Sequence, residues 1–285
     1  MEKCALVIQG GGTRGNYASG VLDYLMDHNI EFEYVVGTSC GALCGADFVS
    51  GDRGRTSLIM TKYMRSLKFA SLHNMILKGS FFDFSYLWGK ITDKIPFDFD
   101  RFYSNPAKFY AVATNLLTGK AGYFEKSDPS FLEGANASCS LPSITPKPVM
   151  VDGVPYYDGG VVESIPFKKA LADGYEGKML IVMTRHKGYR QKDYTEKQIA
   201  KAKKKYAAYP KFLEAYLDWH KNYNRDCDLI DQMAESGKAF VIYPSKPLKV
   251  GAVEFRKKPL QEIYDLGYAD MKKAHPGLSL YLSGE

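Results

Sequence analysis

Ser39 stands in Gly37-Thr38-Ser39-Cys40-Gly41, directly after the apolar run Tyr34 to Val36. A serine with glycines two residues to either side suits a sharp strand-to-helix reversal that projects the hydroxyl towards a substrate. Bulkier residues would crowd that turn, and Ala42, Leu43 and Ala46 then begin a helix whose amino end favours developing negative charge. The chemistry implied is acyl transfer through a serine nucleophile. Serine is also a good helix cap and glycine suits any tight turn, so the pentapeptide alone reads equally as an ordinary capped turn.

A second turn, Gly10-Gly11-Gly12-Thr13-Arg14-Gly15, follows the apolar run Ala5 to Ile8. Consecutive glycines let neighbouring backbone N–H groups converge on one oxygen, as an oxyanion hole requires, and Arg14 adds positive charge beside it. The same six residues satisfy G-x-G-x-x-G, with Glu31 or Glu33 placed like a ribose-binding carboxylate. A nucleotide-binding oxidoreductase is therefore the rival reading, although it gives the serine turn on the next strand no purpose. An acyl-binding protein without turnover is a third.

A serine hydroxyl needs a neighbouring base. Asp158, in Tyr156-Tyr157-Asp158-Gly159-Gly160, follows a strand-like passage from Val149 to Tyr157, and His186 follows the strand-like Met179 to Thr184. The order Ser39, Asp158, His186 is that of the nucleophile, acid and histidine of α/β hydrolases, so residue types leave a full triad open.

With Ala137-Ser138-Cys139-Ser140-Leu141-Pro142, the three motifs at Gly10 to Gly15, Gly37 to Gly41 and Asp158-Gly159-Gly160 resemble the signatures of the patatin-like phospholipases. They agree in type, order and context from about Leu6 to about Pro166, over half of the chain. The resemblance implies a three-layer α/β/α fold with a mainly parallel central sheet and a helical insertion. It implies Ser39 as nucleophile, Asp158 as its direct base in a dyad without histidine, and Gly10, Gly11 and Gly12 with Arg14 as the oxyanion site. Gly15, Gly37, Gly41, Gly159 and Gly160 are the accompanying motif glycines, and His186 becomes a bystander. The substrate it implies is a lipid or other acyl ester, cleaved through an acyl-serine intermediate without metal or organic cofactor. An aspartate base brings a poorly matched proton affinity, which the oxyanion loop and helix amino end must offset. One departure follows Asp158: where family members often carry asparagine before proline, this chain has Ser164-Ile165-Pro166, and Ser164 is expected to cap a helix from Pro166 to Ala172.

The elements that position these residues alternate. Strands are expected at Ala5 to Gln9, Tyr34 to Val36, Lys108 to Thr114, Gly122 to Glu125, Lys178 to Thr184 and Ala239 to Tyr243. Helices are expected at Tyr17 to Asp27, Ala42 to Ser50, Phe131 to Ser138, within Gln191 to Ser236, and at Leu260 to Ala274, with a mainly helical insertion running to about Phe99. Residues 1–285 read as one domain, the signatures lying in about 6–166 and the remainder, 167–285, completing the sheet and its helical cover.

Composition agrees: 285 residues, 45% hydrophobic and 25% charged, support one large core. The net charge of +6, from 38 basic and 32 acidic side chains, gives no reason to expect nucleic acid but favours anionic membrane surfaces. Five cysteines without secreted-domain spacing argue for a reducing compartment, and Cys40 reads as a packed thiol. His28, His73, His220 and His275 lack metal-ligand spacing and read as surface or capping residues. No secretory leader pattern is present, and no apolar run reaches the roughly 20 residues of a membrane-spanning helix. The expectation is a cytoplasmic protein whose composition permits peripheral membrane contact.

Two stretches bear on substrate entry. Leu67 to Ile91 is rich in apolar bulk and reads as core packing, as a lid or acyl-chain groove, or as both. Lys201 to Tyr223 pairs Lys203, Lys204 and Lys205 with Tyr206, Phe212, Tyr216 and Trp219, either a solvated lysine face over packed aromatics or an interfacial helix, bent or divided at Pro210.

Overall fold

Alternation of apolar residues along the strands assigns two opposite faces to one central sheet. The computed structural model describes residues 1–77 and 79–284; Lys78 and Glu285 lie outside the described residues. The strands are β1 (Glu2–Ile8), β2 (Phe32–Thr38), β3 (Lys108–Asn115), β4 (Ala121–Glu125), β5 (Val149–Val151), β6 (Val154–Asp158), β7 (Met179–Val182) and β8 (Phe240–Ile242). They form a sheet in the order β5-β6-β3-β2-β1-β7-β8, with β4 also paired to β3. The five strands from β3 to β8 in that order run parallel, and β4, β5 and β6 add antiparallel pairings.

Helices cover both faces. They are α1 (Gly15–Asp27), α2 (Cys40–Ser50), α3 (Arg55–Tyr63), α4 (Leu72–Leu77), α5 (Phe84–Tyr86), α6 (Phe99–Ser104), α7 (Phe131–Ser138), α8 (Gly160–Glu163), α9 (Phe167–Ala172), α10 (Glu196–Lys205), α11 (Pro210–Glu235) and α12 (Lys257–Ser283). Leu6, Ile8, Val35 and Phe109 point to the face covered by α1, α2, α7 and α12. Ala5, Val7, Tyr34 and Val36, the alternate positions, point to the face covered by α9 and α11. This is the expected three-layer α/β/α architecture.

Register brings the two halves of the site together. Thr38, the last residue of β2, pairs with Val112 of β3, and the next residue of β3, Ala113, pairs with Asp158 of β6. The end of β2 and the end of β6 thus meet at one point along β3. Asp152 and Gly153 close the β5–β6 hairpin with φ of 49° and 77°, both in the left-handed region. The sequence reading takes this passage as one strand, although Asp-Gly between apolar residues is a hairpin signal.

Close backbone contact joins α1 to α12. A Cβ on Gly20 would lie 2.1 Å from the Tyr264 carbonyl oxygen, and one on Gly267 would lie 2.0 Å from that of Tyr17. Asn16 Nδ2 also donates to the Leu260 carbonyl at 2.8 Å. The last helix runs past the expected end at Ala274, through Pro276, to Ser283. Its final turns are held because Leu278 is fully buried and the Tyr281 hydroxyl accepts the Met179 N–H at 2.9 Å. That burial outweighs the single helical bond that proline removes.

Other expectations are corrected. Ser164 does not cap α9; its Oγ donates to the Gly160 carbonyl at 2.6 Å and accepts Trp219 Nε1–H at 3.0 Å. Pro210 divides the Lys201 to Tyr223 stretch by starting α11. Tyr206, Phe212, Tyr216 and Trp219 then pack with Leu116 and Tyr157, so the aromatics belong to the interior. His220 is buried, with Nε2 3.2 Å from Asp193. Among the described residues, no helix is long and apolar enough to cross a membrane.

Candidate active site

The turn after β2 holds Ser39 at φ 57°, a left-handed conformation that non-glycine residues rarely adopt. Space for it exists because Gly37 lies against the next turn: a Cβ there would sit 2.4 Å from the Gly41 carbonyl oxygen. Gly41 lies equally close to the end of β1, 2.5 Å from the Ile8 carbonyl oxygen to a built Cβ. Ser39 makes no capping bond to α2. Its Oγ donates instead to Asp158 Oδ2 at 2.7 Å, with both residues buried.

Asp158 is fixed from both sides. Its Oδ1 accepts the Gly160 N–H at 2.7 Å, its own N–H donates to the Ser140 carbonyl at 2.9 Å, and its carbonyl accepts Thr114 Oγ1–H at 2.8 Å. Gly159 allows this turn to lie against the Val112 carbonyl. Burial pushes the Asp158 carboxyl up to about 7, because the Ser39 and Gly160 hydrogen bonds only partly offset its desolvation. Burial without a cationic partner among the described residues brings the proton affinity of this carboxyl close to neutral pH.

Ser138 Oγ accepts the Ser39 N–H at 2.8 Å and so anchors the elbow. The sequence reading includes Ser138 in a motif but assigns it no task; only the fold brings it across 99 residues to Ser39.

The glycine loop lies beside this pair. Gly10, Gly11, Gly12 and Arg14 line a polar pocket with Ser39, Asp158 and Gly160, whereas Gly15 opens α1 against Cys40. The Gly10 N–H is already engaged by the Ser164 carbonyl at 3.0 Å, which narrows the expected trio of donors to Gly11 and Gly12. Gly12 has φ 57°, and the loop beyond it is pinned by the Thr13 N–H to the Ala252 carbonyl at 2.9 Å and by Thr13 Oγ1 to the Gly251 carbonyl at 3.1 Å.

Glu31 and Glu33 flank the amino end of β2, whereas the glycine loop follows the carboxyl end of neighbouring, parallel β1. Neither carboxylate reaches the loop as a ribose ligand would. His186 is also outside the group: its Nδ1 contacts the Lys187 carbonyl at 2.9 Å, and it has no hydrogen bond to Ser39 or Asp158 among the described residues. Among the described residues no group of three His, Cys, Asp or Glu side chains is placed to hold a metal ion.

Ser39 forms part of the wall between two cavities that also share Gly12, Leu141 and Ala252. The first, about 700 Å³ counted to its open mouth, is apolar and lined by Ile59, Met60, Phe69, Phe82, Phe84 and Leu87. The Leu67 to Ile91 stretch therefore packs the core through Leu87 and Ile91 while also lining a groove through Phe82 and Phe84. The second cavity, about 570 Å³, is more polar than the first, with Asp158, Arg14, Arg185 and Gln191 in its lining.

The model of the patatin-like phospholipase family matches residues 6–171, more than half of the chain. The chain belongs to that family. A second model, a domain of unknown function designated DUF6363, matches residues 209–283, the part that contains α11, β8 and α12. The uncharacterized protein YjjU of Escherichia coli K12 is 27% identical over 272 residues, covering 93% of this chain and 75% of the relative. Lysophospholipase NTE1 of Lodderomyces elongisporus is 28% identical over 173 residues, covering 58% of this chain but 11% of that protein. The crystal structure of VipD from Legionella pneumophila aligns with a TM-score of 0.48 at 13% identity, covering 100% of this chain and 67% of that one.

Proposed function

We propose that this patatin-like protein is a lipid acyl hydrolase that cleaves carboxylic esters through a Ser39–Asp158 dyad. The observation that carries the reading is the 2.7 Å hydrogen bond from Ser39 Oγ to a buried carboxylate held close to neutral proton affinity. The acyl chain enters the apolar cavity and the alcohol half the polar one. Ser39 Oγ attacks the ester carbonyl while its proton passes to Asp158, and the N–H groups of Gly11 and Gly12, with Arg14 nearby, stabilise the oxyanion. Collapse of the tetrahedral intermediate breaks the C–O bond and returns the proton to the departing alcohol. Asp158 then takes a proton from water, hydroxide attacks the acyl-serine carbonyl, and the acid leaves as Ser39 regains its proton.

Relatives named lysophospholipase support the lipid class of substrate, and the apolar cavity offers a place for an acyl chain. Residues 1–285 act as one unit in this reading, since β8 pairs with β7 and α12 packs on the helix that follows the glycine loop. Peripheral contact with a lipid surface is also part of it. Leu67, Leu72, Ile76 and Leu77 are 78%, 71%, 83% and 68% exposed, on the same stretch that supplies Phe69, Phe82 and Phe84 to the apolar cavity.

Labelling with a fluorophosphonate probe tests the central assignment. Wild type is expected to be labelled and to hydrolyse acyl esters, and folded Ser39→Ala to do neither. A folded wild type that neither reacts nor turns over any ester of a panel of lysophospholipids and glycerides would sink the proposal in favour of acyl binding alone.

A further inference from the structure

The chain leaves β1 through a peptide that departs from strand geometry. Along a strand, the N–H and C=O of one residue face the same neighbouring strand, and those of the next residue face the other. β1 lies between β2 and β7, with Ile8 paired to Gly37 on one side and to Val182 on the other. The Gln9 N–H still faces β7, donating to the Val182 carbonyl at 3.0 Å. The Gly10 N–H faces the other way, to the carbonyl of Ser164, whose neighbour Glu163 accepts Thr38 Oγ1–H from the end of β2. Strand geometry would send the Gly10 carbonyl to that side as well. Instead it accepts Thr184 Oγ1–H at 2.8 Å, from the residue two beyond the end of β7.

A trans peptide carries its C=O and N–H on opposite edges. With the Gly10 carbonyl turned to Thr184, the N–H of the same peptide, which belongs to Gly11, is turned away from β7 to the side where β2 delivers Ser39. The two chains are close there: a Cβ on Gly10 would lie 3.1 Å from Ser39 Cβ. Among the described residues the Gly11 N–H has no acceptor. Thr184 is itself held, fully buried, with its N–H donating to Gln9 Oε1 at 2.7 Å and Gln9 Nε2 donating to the Tyr223 hydroxyl at 3.0 Å. A Cβ on Gly11 would sit 2.6 Å from Thr184 Oγ1, so the loop lies directly against the hydroxyl. A bond donated to the carbonyl also polarises the peptide and makes its N–H the stronger donor.

We infer that Thr184 is a positioning residue for ester cleavage: its hydroxyl fixes the Gly10–Gly11 peptide so that the Gly11 N–H is aimed at the oxygen that becomes negative when Ser39 attacks. This deepens the hydrolase reading and rests on it. Thr184 acts through the Gly11 N–H. Without its hydroxyl the peptide loses the bond that holds it against the strand's alternation, and that alternation would carry the Gly11 N–H to the β7 side. The contact matters most once charge has developed on the oxygen, so its loss falls on kcat and not on KM.

The test is Thr184→Val, which keeps the branched shape and removes the hydroxyl, assayed on para-nitrophenyl hexanoate. Loss of a whole oxyanion donor costs about a hundredfold or more, so turning one of two donors aside is expected to lower kcat about tenfold or more with KM within about twofold. Thr184→Ser restores the hydroxyl and is expected to stay within about threefold of wild type. A second readout compares a trifluoromethyl ketone with the methyl ketone of the same chain, since the first readily forms a charged hemiketal with Ser39. The ratio of their inhibition constants is expected to shrink about tenfold in Thr184→Val. Unchanged kcat in folded Thr184→Val, a loss carried by KM alone, an unchanged inhibitor ratio, or an equal loss in Thr184→Ser overturns the inference. If Thr184→Val does not fold, Thr184→Cys, whose thiol is a weak donor, carries the same expectations and the same refutations. A folded wild type that turns over no ester fails the hydrolase reading and this inference with it, whereas an active wild type matched by Thr184→Val fails this inference alone.

Discussion

Replacing Asp158 by asparagine tests whether one buried carboxyl sets both the pH range of activity and part of the pH dependence of stability. Desolvation raises this carboxyl from 3.8 to about 7. Only the ionised form can take a proton from Ser39, so kcat/KM is expected to rise about tenfold per pH unit below 7 and to level off above it. At pH 5 the ionised fraction, and with it the activity, is about 1% of its plateau. Stability runs the other way. Between about pH 4 and pH 7 the native state keeps a proton that the unfolded chain has released, so unfolding becomes easier as pH rises. Some three pKa units at 1.36 kcal/mol each amount to about 4 kcal/mol lost by pH 8, or a fall in Tm of about 8 °C in a protein of this size. Asp158→Asn keeps an acceptor for the Gly160 N–H and cannot ionise. It should lose about a thousandfold or more in kcat/KM, yet its Tm should fall by several degrees less than that of wild type between pH 5 and pH 8. Asp47 and Glu163 are raised by burial too, but they are present in both proteins, so the difference between the two scans isolates Asp158. The assay is a pH–rate profile on an uncharged ester, with thermal unfolding of both proteins at the two pH values. A profile with its midpoint near pH 4, or identical pH shifts in Tm, would refute the reasoning.

The remaining expectations concern groups around this pair. His186→Ala should retain most esterase activity, because the ring lies outside hydrogen-bonding reach of the dyad; loss of turnover in a folded variant would restore the triad. Met60→Trp fills part of the apolar cavity and should shift preference towards shorter acyl chains, read as kcat/KM across a series of chain lengths; an unshifted optimum would place the acyl chain elsewhere. Leu72→Glu with Ile76→Glu should weaken flotation with anionic liposomes severalfold without loss of fold, since both side chains are exposed; unchanged flotation would remove this surface as the lipid contact.

What was legible in the chain was local. Gly37 and Gly41 reveal the elbow because the crowding they relieve is within two residues of Ser39, and the Gly10 to Gly15 loop likewise declares itself by its own spacing. The order of motifs points to Asp158 but not to its proton affinity, which depends on burial contributed by the whole fold. The Asp152-Gly153 hairpin carries a readable signal, Asp-Gly between apolar residues. No local signal marks Ser138 as the acceptor for the Ser39 N–H, or Ala252 and Gly251 as the pins of Thr13, because these bonds join residues brought together only by tertiary structure.

The contact of α1 with α12 sets an order of events. The helix that follows the glycine loop depends on a distant partner, since Asn16 finds its acceptor 244 residues later. Until that distant segment docks, α1 lacks the acceptor for Asn16 and the close packing at Gly20 and Gly267. The glycine loop is thus braced by a contact of very high sequence separation, one that local structure alone cannot form.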